Sequence, residues 1–76
     1  MRVSYLAAVP DDAVWKLGIS ETIRRARLFS EEGAPEDLHM MPGSLIRVVC
    51  VDGVDFIAVN PRGINEDCFL LYRRAE

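Results

Sequence analysis

Apolar positions recur from Val3 to Val9, predicting a strand with Val3, Tyr5, Ala7 and Val9 on one face. Pro10 ends it, and Pro10-Asp11-Asp12 suits a helix start, with acids at the positive end of the helix dipole. Ala13 to Leu17 then reads as a short helical turn stopped by Gly18. Ser20 is placed to cap a longer helix over Glu21 to Glu32, with Ile19 stapling onto its first turn and Gly33 as its stop. Ile23, Ala26 and Phe29, flanked by Leu28, form its apolar face. Ala34 to Met41 predicts one more short turn, opened by Pro35 and closed before Pro42-Gly43.

The texture changes at Leu45. Leu45 to Val51 and Val54 to Asn60 are β-rich runs joined by Asp52-Gly53, a strong two-residue hairpin signal. Asn60 to Gly63 is a turn cluster, and Cys68 to Arg74 reads as a last strand. The Asp-Gly turn sets a register of Val51 with Val54, Val49 with Phe56 and Arg47 with Ala58. One face of this hairpin then holds Val49, Val51, Val54, Phe56 and Ala58, and the other Ile46, Val48, Cys50, Ile57 and Val59. Both faces are apolar. One helix covers only one side, so the second face must meet the N-terminal strand and short turns, a second copy of the chain, or a partner. A closed barrel burying both faces is the alternative.

Composition bounds the class. The chain has 76 residues, half of them apolar and 28% charged, which specifies one globular domain over 1–76. No apolar run approaches the ~20 residues of a membrane helix. Nine basic against twelve acidic residues give a net charge of −3 and weigh against broad nucleic-acid binding. Locally, residues 21–30 hold Glu21 against Arg24, Arg25 and Arg27, and residues 31–40 hold Glu31, Glu32, Glu36 and Asp37. Two cysteines, Cys50 and Cys68, make no disulfide framework, and a bridge between them requires adjacent strands. The N-terminal apolar stretch is too short for a secretory signal, so a cytoplasmic location is expected.

Leu17-Gly18-Ile19-Ser20-Glu21-Thr22-Ile23-Arg24-Arg25 resembles the turn and recognition-helix start of helix-turn-helix regulators of the mercury-resistance type. That resemblance implies Arg side chains facing DNA. The family's pattern has two residues between its Ser and Thr, whereas only Glu21 separates Ser20 from Thr22. The deletion rotates every later side chain of the helix by about 100°. The segment is therefore read as an ordinary capped amphipathic helix with exposed Arg.

Candidate chemistry is sparse. Cys50, Cys68 and His39 are the soft metal ligands, and their spacing does not match a zinc site. His39 shares no motif with a nucleophile, Gly43-Ser44 lacks the features of a phosphate loop, and the acidic pairs fall at helix ends. The expectation is therefore no enzyme, no metal and no cofactor. Aromatic and Arg side chains dominate binding hot spots, which singles out Trp15, Arg24, Arg25, Arg27, Phe56, Tyr72 and Arg73 as candidate partner-binding residues. The expected class is a small α+β protein-binding module, one main helix on an antiparallel sheet comprising a three-stranded C-terminal meander and an N-terminal strand. It is expected to be homodimeric and to act as a regulator or inhibitor. Phage and mobile-element proteins of this size, anti-CRISPRs among them, often block a host machine. A small DNA-binding regulator and a structural subunit of an assembly are the alternatives.

Overall fold

Asp52 and Gly53 both stand in the left-handed region, at φ of 53° and 79°, and fold the chain back on itself in two residues. Gly53 suits this conformation because it carries no Cβ, and the turn's twist matches that of the strands it joins. The structure, a computed structural model, describes residues 1–39, 42–60 and 68–75, apart from the Trp15 side chain. The chain runs β1 (Arg2–Pro10), α1 (Asp11–Leu17), α2 (Ile19–Phe29), β2 (Glu36–Asp37), β3 (Leu45–Val51), β4 (Val54–Asn60) and β5 (Cys68–Arg74). The class is α+β, with two helices and a five-stranded antiparallel sheet in the order β2-β1-β5-β4-β3.

The hairpin adopts the predicted register: Val51 faces Val54, Val49 faces Phe56 and Arg47 faces Ala58. The meander of β3, β4 and β5 is present, but β1 is a full member of the sheet, pairing β5 from Val3–Arg74 to Pro10–Cys68. It does not lie across the second apolar face, and among the described residues the sheet stays open between edges β2 and β3.

Four predicted features are corrected. Strict alternation in β1 fails because Tyr5 pairs with Tyr72 while Ala7 pairs with Leu71. Leu6 is the extra residue of this bulge, and it joins the core with Ala7 and Val9 packed against it, while Val3 goes to the opposite cluster. Helix α2 starts at Ile19 rather than after Ser20, because Gly18 at φ 80° turns the chain directly from α1 into α2. Ser20 makes no side-chain cap; the helix cap position belongs to Gly18. The helix also ends at Phe29, with Ser30 extended, because the next segment drops onto β1, where the Gly33 amide donates to the Tyr5 carbonyl at 2.8 Å. Finally, Glu36–Asp37 is a short strand and not a helical turn: Arg2 faces Asp37, Val3 faces Glu36, and the Leu38 amide donates to the Met1 carbonyl at 2.9 Å. Met40, Met41 and the turn residues after Asn60 lie outside the described residues.

The core sits between the sheet and α2. Leu6, Val51, Phe56, Ala58 and Leu71 meet Ile23, with Ile19 and Ala26 packed alongside. Ile19, Ile23 and Ala26 keep helical spacing, and Thr22 is buried beside them with its hydroxyl donating to the Gly18 carbonyl at 2.7 Å. The expected apolar face running to Phe29 is overturned at its last turn, where Leu28 and Phe29 project out of the core at 77% and 86% exposure. On the other side of the sheet Val3, Ile57 and Val59 are buried with Leu38, Leu70 and Tyr72 against them.

Candidate interface on the outer edge of the sheet

Strand β3 is flanked by β4 alone among the described residues. In a two-residue hairpin the residues flanking the turn bond to each other, and every second residue thereafter repeats that pattern. Val51, Val49, Arg47 and Leu45 therefore direct their N–H and C=O groups at β4. Cys50, Val48 and Ile46 direct theirs outward, away from the sheet.

The same stretch carries exposed apolar side chains. Leu45 is 67% exposed, Ile46 43% and Val48 58%, and Cys50 is exposed beside them. Open backbone and open apolar side chains thus coincide on Ile46 and Val48. An unpaired apolar edge is a template for another strand, and proteins ordinarily blunt it. The one charge within β3 is Arg47, which lies on the helix side of the sheet opposite Ala58.

Two shallow hollows meet at Arg47 and Phe69. One, of about 340 Å³, is also lined by Asp11, Val14, Gly18 and Ile19. The other, of about 290 Å³, is lined by Leu45 and Ile46. Asp11 is already engaged in an interaction of its own. Among the described residues, no carboxylate pairs with Arg47.

The residues singled out from the sequence do not gather into one site. Phe56 is fully enclosed in the core under α2, so it is a packing residue and not a contact surface. The Arg27 guanidinium stacks over its ring at 5.9 Å. Arg24 reaches Asp52 at 3.3 Å and Glu21 at 3.7 Å, and Arg25 reaches Glu21 at 3.4 Å. Hydrogen bonding to Asp52 is the main cause that holds the Arg24 proton more tightly than usual, with the Asp52 charge next. Arg73 is bound by both Glu32 oxygens, which raises its pKa in the same way. Tyr72 packs edge-on against Tyr5, with ring centroids 5.5 Å apart. The Trp15 side chain lies outside the described residues.

Half of the acidic stretch from Glu31 is engaged: Glu32 holds Arg73 and Asp37 lies 3.9 Å from Arg2. Cys50 and Cys68 are both free thiols on strands separated by β4. Cys50 faces Asp55, which ion-pairs with Arg74, six residues along β5 from Cys68. At about 3.3 Å per residue that puts the thiols roughly 20 Å apart, beyond disulfide reach. His39 is exposed in the segment after β2.

Sequence reasoning missed the β3 edge and the Leu28–Phe29 projection. Alternation assigns Ile46 and Val48 to a face, but a face says nothing about which strand ends the sheet. Among the described residues, no helix is long and apolar enough to cross a membrane. No protein-family model matches the chain, and comparison with curated proteins and with solved structures gives no significant match.

Proposed function

We propose that this chain is a small non-catalytic protein-binding module that regulates or inhibits a larger protein, with β3 as its binding element. The observation that carries this reading is the coincidence, on Ile46 and Val48, of outward-facing backbone groups and exposed apolar side chains. Exposed apolar surface of this kind is rare without a use, and strand addition supplies main-chain hydrogen bonds together with side-chain pockets. The α2 arginines supply a weaker basis for binding, since Arg24 and Arg25 are occupied by neighbouring carboxylates. Blocking a host machine, as anti-CRISPRs do, is one form such regulation takes.

The test is site-specific photo-crosslinking in cells that produce the chain, with the reactive side chain at position 48 or, as a control, at position 12. A discrete protein adduct is expected at position 48 and none at position 12. Equal adducts at both positions, or none at position 48, would contradict the proposal.

A further inference from the structure

Resting on that reading, we infer that the occupant of the β3 edge is an extended segment of another protein, paired antiparallel and carrying an acidic side chain opposite Arg47. Three features of the edge specify this chemistry. The outward rungs at Ile46, Val48 and Cys50 accept a strand of about five residues. The exposed Ile46 and Val48 side chains ask for apolar partners on the face away from the helices. Arg47, on the opposite face, brings the charge. Six of the other arginines are engaged: Arg2, Arg24, Arg25, Arg73 and Arg74 lie against carboxylates, and Arg27 against the Phe56 ring. Arg47 instead lines two shallow hollows together with Phe69, and no carboxylate pairs with it among the described residues.

The same charge weighs against a second copy of this chain in the registers centred on Arg47 or Val48. Two β3 strands paired about a two-fold axis at Arg47 place the two guanidinium groups directly opposite each other. An axis at Val48 sets each Arg47 against the other chain's Val49 and leaves the two arginines diagonal neighbours on one face. Like charges at such positions are destabilising, whereas an acid opposite Arg47 is favourable. An edge arginine therefore works as a specificity device, discouraging self-pairing and rewarding an acidic strand.

The probes are two capped hexapeptides, Val-Thr-Val-Glu-Val-Thr and its analogue with Lys in place of Glu. Each is titrated into the isotope-labelled chain while its amide resonances are monitored. Antiparallel pairing sets the Glu opposite Arg47 and the valines opposite Ile46, Val48 and Cys50. The expected result is shifts centred on Ile46, Val48 and Cys50, with the Glu peptide binding about fivefold more tightly than the Lys peptide. Arg47→Glu should reverse that order without unfolding the chain, since the side chain is exposed.

Binding at β3 with no charge preference would overturn the acidic occupant while leaving the protein-binding reading intact. Shifts at the β3 amides on concentrating the chain alone, strengthened by Arg47→Glu or not, would overturn it in favour of a second copy. No β3 shift with either peptide at millimolar concentration would overturn it outright. The crosslinking result at position 48 then decides separately whether the protein-binding reading survives.

Discussion

Val48 and Ile57 face each other across β3 and β4, yet Val48 is 58% exposed and Ile57 is 1% exposed. Cross-strand partners share a face, so the difference arises from what lies beyond each strand. Ile57 is enclosed with Val3, Val59, Leu70 and Tyr72, whereas among the described residues the sheet ends at β3. The apolar surface of this face is continuous, but its burial stops one strand short of the edge.

The contrast predicts unequal costs for substitution at the two positions. Ile57→Ala should cost about 2–5 kcal/mol, because it leaves a void in an enclosed site. Val48→Thr should stay within about 0.5 kcal/mol of the parent, as exposed substitutions do. Urea unfolding of the two variants measures both, and a large loss at Val48 would show that this side chain is covered.

The hairpin turn makes a second prediction. Gly53→Ala places a Cβ at φ 79°, where no neighbour lies within 4 Å, so its cost is backbone strain and not a clash. A loss of about 1–2 kcal/mol is expected. Asp52→Asn keeps a residue that tolerates the left-handed region and removes only the exposed charge facing Arg24, so it should cost less than Gly53→Ala. A Gly53→Ala variant as stable as the parent would contradict the assigned turn.

The arginine face of α2 should not bind nucleic acid. A labelled random duplex titrated with the chain at low and moderate salt is expected to give a flat anisotropy trace. Arg24 and Arg25 are already paired, Thr22 is turned inward onto the Gly18 carbonyl, and the net charge is −3. Micromolar binding that falls steeply with salt would restore the DNA-binding alternative.

Tyr72 predicts an alkaline limit. Burial raises its pKa above the ordinary 10.0, with Glu36 and then Tyr5 adding to the effect. The unfolded chain releases this proton near the ordinary value while the folded chain retains it. Stability contributed here is therefore constant below that range and is lost as pH rises through it. Melting temperatures of the parent should fall more steeply above pH 10 than those of Tyr72→Phe. Parallel curves would contradict this.

Legibility in the sequence depends on how local each determinant is. The limits of β3 and β4 and the hairpin register come from Asp52-Gly53 and the apolar runs around it, and β5 from its own apolar run after the Asn60 to Gly63 turn cluster. Helix α1 is equally readable from Pro10, the two acids and Gly18. Ser20 misleads because it looks like a cap, while Gly18 at positive φ has already turned the chain. The bulge at Leu6 and the early end of α2 are hidden because both depend on contacts between Tyr5 and distant residues, Tyr72 and Gly33. Phe56 has the side-chain type of a contact residue and is core. The candidate interface is hidden for a related reason: β1 inserts beside β5, so β3 becomes the edge, and strand order is a non-local property that alternation does not encode.

The most direct measurement is amide hydrogen exchange along β3 in the free chain. Alternation is predicted, with fast exchange at Ile46, Val48 and Cys50 and slow exchange at Arg47, Val49 and Val51. Uniform protection of all six amides would mean that the outer edge is already covered, and would contradict its assignment as the open binding element.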